Sequence, residues 1–600
     1  MKHATHTRRV ALAGIVVLVL AACGGGAATG STATARPPVV ASPLAPPSPG
    51  PSPSAADSGL GGDIADQPGE TEDASMIGHR PSVTFRGDAS WQIQHPSTAA
   101  HPTEAYTDAP SYLPGDTLRL AVSTDAPGYT VAIYRLGATV QAMGDSTVQP
   151  GVRQGGPVVD PVTKMVRAGW RATYSQPIPA SWPSGVYLAR VSGIGGTQSY
   201  APFVVRSTRP SRFLFVSNTL DYAAYNRWGG SSLYWTGVGD PVPGVHEAFA
   251  VSLDRPFADQ AGAGEIFMME APFIAWLERT GQDVTYTTDY DLSTHPADQP
   301  LPRAVLFSGH GEYWGAPLRD WLDQHVLRQG DMGLGMFAAD TGYWQVSLSD
   351  PSPTGPRTIG LYKDALFDPG VAARCPAGFT RHANAFRSLP CGVGHRAGNE
   401  PEQALFGVQY GSVVPGYYAY RLAPDVPVAL LAGTGFAPGD SLGRIAGGEV
   451  DRVFAGLASL PGDHLFASTM TITRGGATLA AQAVVRALPS GGRVFASGTF
   501  WWGWGLEPGF AASHDVPGGA RRARPGPRWG LRTVERRKRG CGESQSQSGR
   551  PTGRYGLWHH DVGHPRGRWR LGARHAVGAR EAARGDHQRR AAAWSRSSTR

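Results

Sequence analysis

The side chains best suited to chemistry arrive together at 308–314, which reads Ser-Gly-His-Gly-Glu-Tyr-Trp. His310 is the residue type that moves protons near neutral pH. Glu312, two positions on, is an anionic oxygen donor that can hold a hard cation or share a proton. The glycines on either side of His310 admit a tight backbone turn. Before them, 304–307 is a continuous apolar run, Ala-Val-Leu-Phe, too short for a helical pattern and right for a strand buried on both faces. In open α/β sheets, ligands sit beyond the carboxyl ends of the strands, and His310 and Glu312 fall at such an end. The alternative is a loop whose His and Glu merely cap the next helix.

Other apolar runs deliver polar residues in the same way. The strand expected at 212–216 leads into an Asn- and Gly-rich turn containing Tyr225, and that at 334–338 ends at Asp340. Strands are also expected at 284–287 and 493–497, with amphipathic helices over 266–280 and 317–329. Strand–helix alternation at this spacing predicts an α/β domain over 209–510 with a mostly parallel sheet. Before it, short alternating strands at 82–86, 117–122, 130–134 and 185–191, with Pro-Gly and Pro-Ser turns, predict an immunoglobulin-like β-sandwich over 79–208. Asp254-Arg255 reads as a structural ion pair. The tryptophans at 228, 314, 344, 501, 502 and 504 read as packing residues or as the wall of a dry pocket.

The rest of the chain bounds the setting. Lys2, Arg8 and Arg9 precede an apolar run at 10–20, followed by Leu-Ala-Ala-Cys at 20–23. That run is shorter than the roughly 18–20 residues that span a bilayer, so 1–23 reads as a lipoprotein signal with Cys23 the lipid-bearing residue. Such a chain is exported and tethered on the outer face of the membrane. Residues 24–78, rich in Pro, Ser, Gly and Ala, cannot bury a core and read as a spacer. Cys375 and Cys391 lie in a polar stretch and are expected to form a disulfide, with free thiols the alternative. The net charge of +8 is unevenly spread: 520–600 holds 20 Arg and one Lys against five Asp or Glu, leaving residues 1–519 at −8. Nucleic-acid binding is therefore not expected. Residues 511–600 show no apolar period and read as the product of a shifted reading frame, or else as a genuine basic disordered tail.

In order, NTLDYAAYNRWGGSSLY (218–234), VSLDRPF (251–257), EAPFIAWLERTG (270–281), SGHGEYW (308–314), FAADTGYWQV (337–346) and SGTFWWGWGL (497–506) resemble the C-terminal domain of the large subunit of N,N-dimethylformamidase and its relatives. The resemblance covers about 180–510. It implies a glutamine-amidotransferase-like α/β domain beside β-rich domains, and a mononuclear non-haem iron held by two tyrosinates and a glutamate. It also implies hydrolysis of a small amide. Carried over, Glu312 is the glutamate and His310 its catalytic neighbour. Tyr225 and Tyr187 match the tyrosines, with Tyr234 in reserve for the latter. Asp340 occupies a polar position where the family would have Asn.

The ligand set is chemically coherent. Tyrosinate and carboxylate are hard oxygen donors that suit Fe(III) better than zinc. A ligand from the sandwich would put the site between two domains, a common place for pockets. The competing reading is a non-catalytic cell-envelope module that kept the fold. A cysteine amidotransferase is disfavoured, because no Cys stands at a strand end. Association of the chain with copies of itself is left open.

Overall fold

A computed structural model of the chain describes residues 87, 89–100, 102–370, 384–388, 400–455, 457 and 462–506. The expected strand at 82–86, the lipid-bearing Cys23, the Cys375–Cys391 pair and the tail after 506 lie outside the described residues. No described helix is long and apolar enough to cross a membrane. Strand outweighs helix, and several sheets are present.

The first part is a β-sandwich. One sheet joins Thr103–Thr107, Thr117–Thr124 and Tyr174–Pro177. The other runs in the order Ser111–Tyr112, Gln198–Val205, Gly185–Gly193, Gly128–Leu136, Gln141–Asp145. Alternation along Gly185–Gly193 sends its two faces to two different cores. Tyr187, Ala189 and Val191 fill the sandwich interior, while Val186 and Leu188 join a larger core that reaches Phe213, Phe215 and Trp276. The sandwich is thus fused to the following sheet by shared apolar packing. A part-buried ion pair reinforces the seam: Arg135 meets Glu278 at 2.5 and 3.0 Å, and Tyr286 donates to the same carboxylate at 2.8 Å.

The second part is built on one nine-stranded sheet. In chain order its strands are β1 (Phe213–Ser217), β2 (Val284–Thr288), β3 (Ala304–His310), β4 (Gly333–Ala339), β5 (Gln409–Leu422), β6 (Ser441–Arg452), β7 (Asp463–Ile472), β8 (Thr478–Ala487) and β9 (Arg493–Ala496). The spatial order is β2-β1-β3-β4-β9-β8-β7-β5-β6. The first five strands are parallel and the remaining pairings antiparallel. Every side chain of β1, β3 and β4 is buried, as both-face coverage requires. From β1 the chain steps outward to β2, then crosses back to β3 on the other side of β1. The strand order therefore reverses between the carboxyl ends of β1 and β3, the place where α/β sheets open a crevice.

Three expectations need correction in detail. The helix expected over 266–280 breaks into Ile266–Met269 and Ala271–Arg279. Pro272 has no N–H to return to Met268; the Met268 carbonyl instead accepts Trp504 Nε1 at 2.7 Å, and Met269 accepts the Ser308 hydroxyl at 3.0 Å. The helix at 317–329 runs as an α-helix over Ala316–Leu322 and then as a π-turn over Asp323–Arg328. Nor do Asp254 and Arg255 pair. Neighbours leaving a strand point opposite ways: Asp254 binds Arg357 at 2.9 Å, while Arg255 turns to backbone carbonyls. The tryptophans mostly pack, Trp314 and Trp502 being fully buried.

Candidate functional site

The site lies at the strand-order reversal. β1 leads into the helix α1 (Thr219–Tyr225), which carries Asp221 and Tyr225 on one face through their four-residue spacing. β3 ends at His310, and Glu312 follows after Gly311. Gly309 has φ +79°, and a Cβ there would lie 2.5 Å from Met269 Cβ and 2.7 Å from its carbonyl oxygen. Only glycine makes this turn, so the register that aims His310 and Glu312 is fixed by it.

Three oxygen-bearing side chains converge. The Tyr225 hydroxyl donates to Glu312 Oε2 at 2.7 Å, and the Tyr234 hydroxyl lies 2.8 Å from Oε1 and 2.7 Å from Oε2. The two hydroxyls are 2.8 Å apart, and their rings stack with centroids at 4.4 Å. Tyr313 meets both rings edge-on, and the Lys363 ammonium sits 3.2 Å from the centre of the Tyr234 ring. Burial pushes the Glu312 carboxyl up, while the Lys363 charge and the tyrosine hydroxyls pull it back down. Burial, then the Glu312 charge, raises the Tyr234 hydroxyl well above its usual range.

His310 is 2 % exposed and bridges two sets of carboxylates. Its Nδ1 is 3.2 Å from Asp221 Oδ2; its Nε2 is 3.6 Å from Glu312 Oε2 and 3.5 Å from Glu449 Oε2. Asp221 also holds the backbone, accepting from Glu312 N at 3.0 Å. Burial lowers the imidazole to about 3, which keeps it neutral. Asp340, at the end of β4, adopts φ +44°, and its N–H donates to Asp451 Oδ1 at 2.9 Å. A non-glycine residue held there carries backbone strain of the kind that clusters at functional sites. Asp340, Glu449 and His310 each turn a ligating atom to within 4.8 Å of the others, as do Asp221, His310 and Glu312.

The structure thus brings together Tyr225, His310, Glu312 and Asp340, with Tyr234 beside them. It does not bring Tyr187. That ring stacks between Trp182 and Phe203 in the sandwich core, and its hydroxyl donates to the Pro183 carbonyl at 2.6 Å. The reserve residue Tyr234 stands next to Tyr225 instead. Sequence reading missed Asp221, Glu449 and Asp451. The last two alternate on β6 and so share a face, and the motif Gly-Gly-Glu-Val-Asp at 447–451 carried that signal.

The family model described as N,N-dimethylformamidase beta subunit-like, C-terminal, matches residues 130–515. No curated protein matches. Among solved structures, a chain from a structure on T cell specificity and activation by the bacterial superantigen toxic shock syndrome toxin-1 is 13 % identical, with 17 % of this chain and 97 % of that chain covered and a TM-score of 0.11. A Paenibacillus cycloisomaltooligosaccharide glucanotransferase complexed with cycloisomaltoheptaose is 11 % identical, with 55 % and 62 % covered and a TM-score of 0.14. Neither of these two likenesses carries an argument about fold or function.

Proposed function

The chain belongs to the N,N-dimethylformamidase beta subunit-like family, and we propose that it is a hydrolase of small linear amides, exported and tethered by lipid on Cys23. The observation that carries the reading is the convergence of the Tyr225 and Tyr234 hydroxyls on the Glu312 carboxylate, all within 2.8 Å. Two phenols and a carboxylate packed this closely are a hard, anionic oxygen set that fits a mononuclear non-haem Fe(III). Tyr225, Tyr234 and Glu312 would hold the ion, replacing Tyr187 in the earlier expectation. Iron so held supplies Lewis acidity to an amide carbonyl and to water.

The chain's own residues do the rest. Asp221 Oδ2 lies 3.2 Å from His310 Nδ1 on one side, and Nε2, which makes no hydrogen bond, faces Glu312 and Glu449 on the other. A neutral imidazole there can take a proton from water at Nε2 and return it to the departing amine. Asp340, whose Oδ1 also makes no hydrogen bond, is available to orient the substrate. Lys363 and the edge of Tyr313 fix the Tyr234 ring. Phe500, 4.5 Å from the His310 ring, helps to keep bulk water out.

The test is metal content and visible absorption of the purified chain, with Glu312→Ala and Tyr225→Phe alongside. Near one iron per chain, with a tyrosinate-to-iron band lost in both variants, is the expected result. A folded, colourless, metal-free protein insensitive to both substitutions would overturn it.

A further inference from the structure

Behind α1, away from the tyrosine–glutamate cluster, a small cavity of about 40 Å³ lies in the seam between the sandwich and the sheet. Arg255 and Arg357 both line it, with Thr107 and Val204 from the sandwich and Ser217 and Thr219 from the sheet side. Arg255 is 2 % exposed. Its Nη1 donates to the carbonyls of Trp228 at 3.1 Å and Ser231 at 2.8 Å, and its Nη2 to that of Ala223 at 3.3 Å. Its Nε makes no hydrogen bond, and no carboxylate among the described residues pairs with it. Arg357 has Asp254 as its counter-ion at 2.9 Å, yet its Nη1 is also without a hydrogen-bond partner.

Carbonyl dipoles satisfy N–H groups but do not neutralise a charge. A guanidinium buried without an opposite charge is among the costliest arrangements in a protein interior. A water could complete the hydrogen bonds and would leave that cost in place. We propose that this seam is a binding site for a small inorganic anion of halide size, held between Arg255 and Arg357. The cavity has room for an ion of that size. Bound there, the anion neutralises Arg255 and ties the sandwich to the sheet segment from which the catalytic helix α1 departs. The inference stands independently of the proposed amide hydrolysis, because none of its residues belongs to that cluster.

The test uses the purified full chain, freed of halide and held in sodium gluconate, with sodium bromide exchanged in at constant ionic strength. The wild type should show a saturable rise in melting midpoint, roughly 3 °C at a hundredfold excess over half-saturation. Arg255→Met should abolish the bromide dependence. Crystals grown in bromide should show an anomalous peak between the two guanidinium groups, and this readout decides the matter if the variant does not fold. An unchanged wild-type midpoint, an undiminished bromide effect in Arg255→Met, or ordered water with no anomalous peak in the seam would each overturn the proposal.

Discussion

Replacing Tyr234 by Phe separates the two tyrosines that compete to be the second ligand of the proposed iron. The substitution keeps the ring stacked on Tyr225 at 4.4 Å and removes only the hydroxyl that lies 2.7–2.8 Å from both Glu312 oxygens. A hydrogen bond to a charged group contributes about 1.5–3 kcal/mol. Offsetting this, the hydroxyl is itself costly to bury, so the net loss of folding stability should stay near 1 kcal/mol. Metal affinity should suffer far more. Losing an outer-shell partner costs about 10–100-fold in affinity, and losing a direct anionic donor costs at least as much. Tyr187→Phe is the matched control: it breaks a 2.6 Å bond to the Pro183 carbonyl inside the sandwich and touches nothing at the cluster. It should cost about 1 kcal/mol of stability and leave iron binding unchanged. Ferric titration followed by visible absorption reads affinity, and urea unfolding reads stability. If Tyr187→Phe abolished the absorption band while Tyr234→Phe bound iron like the wild type, the assignment would be wrong.

Gly309→Ala should cost about 3 kcal/mol, since a methyl group at φ +79° meets the Met269 backbone at 2.7 Å; a urea midpoint within 0.5 kcal/mol of wild type would refute the argument. Arg135→Met leaves Glu278 part-buried at the seam with only Tyr286 and the Ala138 N–H and should destabilise by about 2 kcal/mol, whereas Arg135→Met with Glu278→Leu should recover most of that loss in the same assay. Burial raises the Glu270 carboxyl to about 7 despite bonds from Ser217, Asn218 and Tyr222. The folded state therefore holds a proton that the unfolded chain releases near pH 4.5, so this group's contribution is greatest below about pH 4.5. It falls by roughly 3 kcal/mol as pH rises through 7. Glu270→Gln should remove that decline from a stability–pH curve, and a parallel curve would show that Glu270 does not titrate there.

What the sequence made legible and what it hid follow from one distinction. Features carried by contiguous residues could be read: the apolar run of β3 announces a buried strand, and the polar residues after it announce the end of that strand. His310 and Glu312, at the end of β3, and Asp340, at the end of β4, were found this way. Position across the sheet is different, because it depends on which strands become neighbours. Glu449 and Asp451 lie more than a hundred residues after Glu312, on an antiparallel extension inserted between β4 and β9, and β6 approaches the site only once β5 to β8 have folded back. No local period reports that return. The tyrosines show the same limit within a single motif. Tyr187 and Tyr234 are equally plausible donors by residue type, and only the packing distinguishes them. Alternation on its strand sends Tyr187 into the sandwich core, between two aromatic rings, whereas the chain leaving α1 turns back through Gly229 and Gly230 and stacks Tyr234 on Tyr225. The tyrosine–glutamate cluster is thus written in two short motifs, Ala-Tyr-Asn-Arg-Trp-Gly-Gly-Ser-Ser-Leu-Tyr and Gly-His-Gly-Glu-Tyr-Trp. The strand-order reversal between β1 and β3 is what makes them one site.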